Sequence, residues 1–228
     1  MTRLTVLMPV FNERRTIGAA IEGVLDVEVE GGHELVVVDD GSTDGTSEFL
    51  GEQEWPDSVR IVRHARNRGK GAALRTGLSE ARGEYSTVLD ADLEYDPATL
   101  PSLLEPLLRG DADAVYGVRG FQAHSSYSFW YVVGNKAVTF AANVLYNAWL
   151  ADLMTCQKVM PTALFRSLPL RANGFQIEAE ITARLLRSGA RVYEVPITYR
   201  ARTRDEGKKL RGIDGLRVLG TLTRCRVR

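Results

Sequence analysis

The chain has 228 residues and a mass of 25.2 kDa, enough for one domain with a sizeable core. Hydrophobic residues make up 44% and charged residues 25%, which excludes a disordered chain, a collagen-like repeat and a disulfide scaffold. Lys and Arg (29) balance Asp and Glu (29), which argues against a general nucleic-acid binder.

Residues 4–10 are apolar and β-branched and predict a buried strand. Over 15–25, Ile17, Ala20, Ile21, Val24 and Leu25 recur at helical spacing. Residues 34–38 (ELVVV) predict a second buried strand closed by Asp39-Asp40-Gly41, and 46–50 a short helix. A third strand is expected over 59–63, then a helix over 71–81 with Ala73, Leu74, Gly77 and Leu78 inward. Residues 85–89 read as a fourth strand ending at Asp90. Pro97 opens a helix running through Leu108, and 112–116 reads as a fifth strand. Continuous apolar strands alternating with helices predict an α/β fold, a mostly parallel sheet flanked by helices on both faces. Such sheets bind ligands beyond the carboxyl ends of their strands. Asn12-Glu13, Asp39-Asp40-Gly41 and Asp90-Ala91-Asp92 fall at those ends.

After Arg119 the pattern changes. Residues 120–128 read as a loop and 130–150 as one amphipathic helix. Asn135, Lys136, Thr139, Asn143 and Asn147 form its polar stripe. Trp130, Val133, Ala137, Val138, Ala141, Val144, Leu145, Ala148 and Trp149 form its broad apolar side. Packing of that side on the core is the ordinary expectation; a helix lying along a membrane interface is the sharper one. Residues 154–160 predict a short strand, 177–187 a helix, 191–199 a strand that Pro196 places at a sheet edge, and 213–223 a last short helix. No repeat or linker interrupts this, so 1–228 reads as a single domain of two halves, 1–119 and 120–228, divided where the pattern changes.

Charge is uneven along the chain. Basic against acidic residues number 10 to 19 over 1–100, 9 to 7 over 101–199 and 10 to 3 over 200–228. A basic tail on a neutral protein suggests an anionic partner, either phosphate or an anionic lipid surface. Cys156 and Cys225 are the only cysteines, which fits a reducing compartment and argues against structural zinc. The amino-terminal segment turns polar too soon for a signal peptide, and Asn135, Lys136, Asn143 and Asn147 make 129–150 a poor membrane span. The expected location is cytoplasmic, with peripheral attachment to the inner face of the membrane as the extension of that reading.

Gly69-Lys70-Gly71 fits neither GxxxxGK[ST] nor GxGxxG, which removes the P-loop and the dinucleotide fingerprint. What remains is rich in carboxylates. Asp90 and Asp92, two apart after a strand, project to one side of an extended segment and can share a hard divalent cation whose open positions substrate phosphates fill. Glu94 continues the series. Adjacent carboxylates at Asp39 and Asp40 can accept hydrogen bonds from a base and from ribose hydroxyls. An acidic turn and a metal-binding DxD together suggest a nucleotide diphosphate substrate.

Pro9-Val10-Phe11-Asn12-Glu13, Val38-Asp39-Asp40-Gly41-Ser42-Thr43-Asp44-Gly45-Thr46 and Asp90-Ala91-Asp92 stand in the order seen in family 2 glycosyltransferases of the GT-A fold, which the chain resembles. Residues 152–159 (DLMTCQKV), 177–183 (IEAEITA), 193–197 (YEVPI) and 206–209 (EGKK) look like the bacterial branch related to dolichol-phosphate mannosyltransferase. The resemblance implies that Pro9, Asn12, Glu13, Asp39 and Asp40 hold the nucleoside, with Lys70 and Ala91 among the nucleotide-sugar contacts. It implies Mg²⁺ or Mn²⁺ on Asp90 and Asp92, with Glu94 helping. Arg119 would face phosphate and Asp152 would assist near the acceptor. Glu178 and Glu180 would lie near the sugar or acceptor, while Arg200, Arg202, Lys208 and Lys209 would reach an acceptor phosphate.

The expected activity is inverting, metal-dependent transfer of a hexose from a nucleotide diphosphate sugar, GDP-mannose or UDP-glucose in type, to a polyprenyl phosphate. Three alternatives stay open at this point: a soluble acceptor, which would need a general base such as Asp152 or Glu180; a non-catalytic nucleotide-sugar-binding module; and a glycoside hydrolase using paired carboxylates.

Overall fold

A computed structural model describes residues 2–120, 129–202 and 212–227. The strands are β1 (Leu4–Val10), β2 (His33–Asp39), β3 (Val59–Arg63), β4 (Tyr85–Val88), β5 (Ala114–Arg119), β6 (Lys158–Pro161) and β7 (Val192–Ile197). The helices are α1 (Ile17–Leu25), α2 (Thr46–Glu52), α3 (Lys70–Glu80), α4 (Leu100–Leu108), α5 (Phe129–Tyr146), α6 (Thr162–Ser167), α7 (Ile177–Arg187) and α8 (Gly212–Val227). The helix expected from Pro97 starts as a 3-10 turn, Pro97–Thr99, with the Asp96 side chain capping the Ala98 N–H.

Among the described residues the strands form one seven-stranded sheet in the order β3-β2-β1-β4-β6-β5-β7. β1 pairs in parallel with β2 and β4, and β2 with β3, so their carboxyl ends share one edge. β6 inserts antiparallel between β4 and β5 and joins the two halves. β7 pairs only with β5, the edge position that Pro196 anticipates.

Apolar residues fill both faces of the sheet. One cluster packs α1 and α4 against β1 and β2 through Val6, Met8, Ile21, Val37 and Leu103. The other packs α3, α6 and α7 through Leu7, Val38, Leu74, Phe165 and Ile181. A third joins α5, α7 and α8 through Val138, Ala142, Ala179, Ala183, Val218 and Leu222.

The helix expected over 130–150 differs from the expectation in extent and orientation. It stops at Tyr146, and Asn147 takes φ 49°. Its buried residues are Asn135, Val138, Thr139 and Ala142, so much of the polar stripe faces the protein. Asn135 donates to Asp152, Thr139 Oγ1 accepts from Leu153 N, and Asn143 bonds both the N–H and the carbonyl of Leu150. Phe129, Trp130, Phe140 and Val144 face outward, as does Trp149 beyond the helix end, with Trp130 76% and Trp149 91% exposed. Among the described residues no helix is long and apolar enough to cross a membrane.

Loop 172–174 of the second half lies on the start of α3. A Cβ at Gly71 would stand 2.2 Å from the Ala172 carbonyl oxygen, and one at Gly69 would stand 2.4 Å from that of Asn173. Gly71 N donates to the Asn173 carbonyl at 2.7 Å.

Candidate active site

The shared strand edge opens into a cleft of about 560 Å³ lined by Pro9, Glu13, Asp40, Lys70, Asp90, Ala91, Asp92, Arg119, Glu178 and Arg202 among others. A second cavity of about 590 Å³ lies behind the loop from Asp90 to Pro97 and is walled mainly by α1 and that loop. Charged residues of both signs converge in the first.

Around the 9–13 and 39–44 loops, many polar groups are bonded within the protein. Asn12 adopts φ 54° and accepts from Thr43 N at 2.8 Å, while its own N–H donates to Ser42 Oγ. Asp39 accepts from Ser42 N at 3.0 Å and from the Ser47 hydroxyl. Asp40 accepts from the N–H groups of Arg68 and Gly69 and lies 2.6 Å from His64 Nδ1. His64 Nε2 is in turn 2.9 Å from Thr76 Oγ1. The two aspartates thus hold the loops around the cleft, which is more than the open acceptors expected of them. His64 is buried behind Asp40.

Asp90 and Asp92 both line the cleft. Lys70 Nζ lies 2.8 Å from Asp90 Oδ2, and an Arg202 nitrogen lies 3.5 Å from Asp92 Oδ2. Glu94 lines the cleft too but does not converge with them on one point. Its carboxylate accepts from the Tyr199 hydroxyl and, at 2.8 Å, from Arg202 N. The same-side series requires an extended chain, and Leu93 at φ 60° ends it. Among the described residues no three His, Cys, Asp or Glu side chains converge on one point. Two carboxylates whose charge is met by ammonium and guanidinium groups fit a divalent ion that takes its remaining ligands from water and substrate phosphate.

Across the cleft, Arg119 closes β5 and makes a bidentate pair with Asp152, Nε to Oδ2 at 2.6 Å and Nη2 to Oδ1 at 2.8 Å. Its Nη1 donates to the Tyr131 hydroxyl at 3.1 Å. Burial acts to raise the Asp152 carboxyl, but the bonds and charge of Arg119 and the Asn135 amide outweigh it and hold the group below its ordinary value. Glu194 accepts from the N–H groups of Ala151 and Asp152 and fixes that segment. Asp152 has no solvent exposure and is committed to Arg119, so it positions that guanidinium and does not stand open as a base.

The remaining expectations divide. Glu178 lies in the cleft wall between Lys158 and Lys70. Glu180 points elsewhere: it accepts from the N–H groups of Arg171 and Ala172 and anchors the loop on α3. Arg200 lines the rear cavity, whereas Arg202 reaches Glu13 at 3.1 Å and Asp92. Residues two apart on an extended chain would face the same way, but here Arg200 N is tied to the Glu94 carbonyl and Arg202 N to the Glu94 carboxylate, and the two side chains part. Lys208 and Lys209 lie outside the described residues. Lys158, Tyr131 and Tyr199 were not anticipated. A lysine among the apolar residues of a short strand was the one available signal, and it belongs to Lys158.

The sheet, with acidic strand ends opening into one cleft, is the GT-A glycosyltransferase fold. Glucosyl-3-phosphoglycerate synthase from Mycobacterium tuberculosis, solved in complex with Mn²⁺ and UDP-glucose, matches with a TM-score of 0.75 at 25% identity, over 99% of this chain and 79% of that one. The family model described as Glycosyl transferase family 2 matches residues 5–168, and the chain belongs to that family. Among curated relatives, dodecaprenyl-phosphate galacturonate synthase of Rhizobium johnstonii is 37% identical over 51% of this chain and 36% of its own length. The low-salt glycan biosynthesis hexosyltransferase of Haloferax volcanii is 32% identical over 87% of this chain and 48% of its own. Dolichol-phosphate mannosyltransferase of Pyrococcus furiosus is 28% identical over 90% and 59%. The chain therefore spans between about a third and three fifths of the length of these relatives.

Proposed function

We propose that the chain transfers a hexose from a nucleotide diphosphate sugar to a polyprenyl phosphate, with inversion, at a membrane surface. The observation that carries this reading is that the Asp90–Asp92 pair and the buried, Asp152-aligned Arg119 line the same cleft. Family membership and the names of the polyprenyl and dolichol phosphate relatives support the reaction class.

In this reading the nucleoside lies against the 9–13 and 39–42 turns. Asp90 and Asp92 would hold Mg²⁺ or Mn²⁺, which supplies charge neutralisation for the departing diphosphate. The acceptor phosphate is ionised near neutral pH and needs no general base. Its oxygen attacks the anomeric carbon from the face opposite the diphosphate. The carbon–oxygen bond to the diphosphate breaks, and its electron pair leaves with the nucleotide. Arg119, aligned by its bidentate pair with Asp152, offers a guanidinium to a phosphate in the cleft. Arg202 lines the same cleft, paired with Glu13 and near Asp92.

The outward apolar residues of α5, with Leu216, Leu219 and Val227 of α8, support seating on a bilayer, where the polyprenyl chain resides. Arg217, Arg224 and Arg226 of α8 add charge suited to anionic lipid. A soluble phosphorylated acceptor is the second reading, favoured by the neighbouring structure that holds phosphoglyceric acid. A panel of GDP-mannose, UDP-glucose and related donors, with Mn²⁺ and either a polyprenyl phosphate or phosphoglyceric acid, tests both. Glycolipid formation supports the first reading. Turnover confined to the soluble acceptor overturns it.

A further inference from the structure

Lys158, the first residue of β6, has no solvent exposure. An ammonium so placed must be paired, because its hydration is lost. Its Nζ lies 2.6 Å from Glu178 Oε2, bonds the Thr155 carbonyl and faces the Tyr116 ring. Glu178 holds a second ammonium. Lys70 Nζ is 3.1 Å from its other oxygen, an ion pair without a well-aligned hydrogen bond, and 2.8 Å from Asp90 Oδ2. Lys158, Glu178, Lys70 and Asp90 therefore alternate in sign from the dry interior to the cleft. The four charges cancel with no ion present.

A divalent cation on Asp90 would upset that balance. Asp90 would give its charge to the metal, and Lys70 would be left with positive charge to offer an anion entering the cleft. Under the proposed function, on which this inference rests, that anion is a nucleotide diphosphate. Lys158 fixes how far Lys70 can move. With Lys158 on one oxygen of Glu178, only the other oxygen competes with Asp90 for Lys70. With Lys158 gone, the full Glu178 charge would draw Lys70 inward.

We infer that Lys70 is a resident counter-cation of Asp90, exchanged for a divalent ion as a nucleotide diphosphate enters, and that buried Lys158, acting through Glu178, is the positioning residue that holds it at the exchange point.

The test is Mn²⁺ binding, read by electron paramagnetic resonance on the full chain. It is run with Mn²⁺ alone and with Mn²⁺ plus UDP or GDP, and a melting curve accompanies each variant. Lys70→Met should bind Mn²⁺ alone about tenfold tighter than wild type, because the competing ammonium is gone. It should bind Mn²⁺ with the matching nucleotide about tenfold weaker, the scale of one charge-assisted contact. Lys70→Arg should keep the wild-type order. Lys158→Met should shift free Mn²⁺ binding in the direction of Lys70→Met. Lys158→Met/Glu178→Gln, which also removes the inward pull, should return it toward wild type. A Lys70→Met protein that binds Mn²⁺ alone no tighter than wild type overturns the counter-cation. A double variant that folds but stays shifted overturns the route through Glu178. A folded wild type that binds Mn²⁺ neither alone nor with either nucleotide overturns the metal reading of Asp90 and Asp92, and the proposed function falls with it.

Discussion

Helices α1 and α5 are both amphipathic, but α5 buries polar residues beside apolar ones and leaves large apolar ones outside. α1 turns Ile17, Ala20, Ile21 and Val24 onto the sheet, so its apolar stripe is its buried stripe. α5 buries Asn135 and Thr139 and sends Trp130, Phe140 and Val144 outward. The cause lies in what each helix covers. Beneath α1 are the apolar residues of β1 and β2, which offer nothing to bond. Beneath α5, beside the apolar residues of α7 and α8, are the Asp152 carboxylate and the Leu153 N–H, polar groups that burial obliges the protein to satisfy. Amphipathicity records that a helix meets two environments; the polarity of the surface below decides which one is the protein.

The largest effect should come from the polar side of that contrast. Asp152→Ala leaves Arg119 buried without its partner and should cost about 3–5 kcal/mol in urea unfolding. The same change at Asp113, whose pair with Arg191 is exposed, should cost at most about 1 kcal/mol. Equal losses would mean that the ground beneath α5 is not held by its ion pair. Next, Asp92→Ala should lower turnover by about 10²-fold or more while leaving the melting temperature near wild type. A pure stability loss there would make the donor side structural as well.

A smaller effect is expected from pH. Asp152 titrates below its ordinary 3.8 in the folded protein, so its contribution is full above the unfolded-state value and is lost as pH falls through the folded one. The stability gap between wild type and Asp152→Asn should therefore stay flat from about pH 7 to 5 and close only below about pH 4. A gap that closes already between pH 7 and 5 would contradict the depressed carboxyl. Smallest in stability should be Trp130→Ser, Phe140→Ser and Trp149→Ser, each within about 0.5 kcal/mol. Combined, they should abolish flotation with anionic liposomes. Flotation that survives the triple change would leave the outward face of α5 without its assigned role.

Much of the frame was legible because it is local. The apolar runs at 4–10 and 59–63 match β1 and β3 end to end, and the parallel order then forces Asp39, Asp90 and Glu13 to one edge. What escaped is non-local. α6 has six residues and begins at Thr162, directly after β6, too short for any periodicity to register. Lys158, Glu178, Lys70 and Asp90 come from four separate segments, and they meet because β6 enters antiparallel beside β4, which no run of residues announces. Glu94 and Glu180 carry the right chemistry at the right spacing, yet backbone N–H groups claim both. Spacing alone does not reveal whether a carboxylate's bonds are already taken.

The close seating of loop 172–174 on Gly69 and Gly71 has a bearing on how this sequence can drift. Side chains at Gly51 or Gly134 would meet open space, and those positions are at liberty to vary. A side chain at 69 or 71 would strike backbone, which cannot rotate aside, and would lift the loop that leads into Glu178. The glycines flanking Lys70 are thus the contact point of two halves that must change in concert. In a lineage descended from this chain, positions 69 and 71 should vary together with 172–174 or not at all, and a recombination crossover between the halves should succeed only where the two parents match on both sides of this joint.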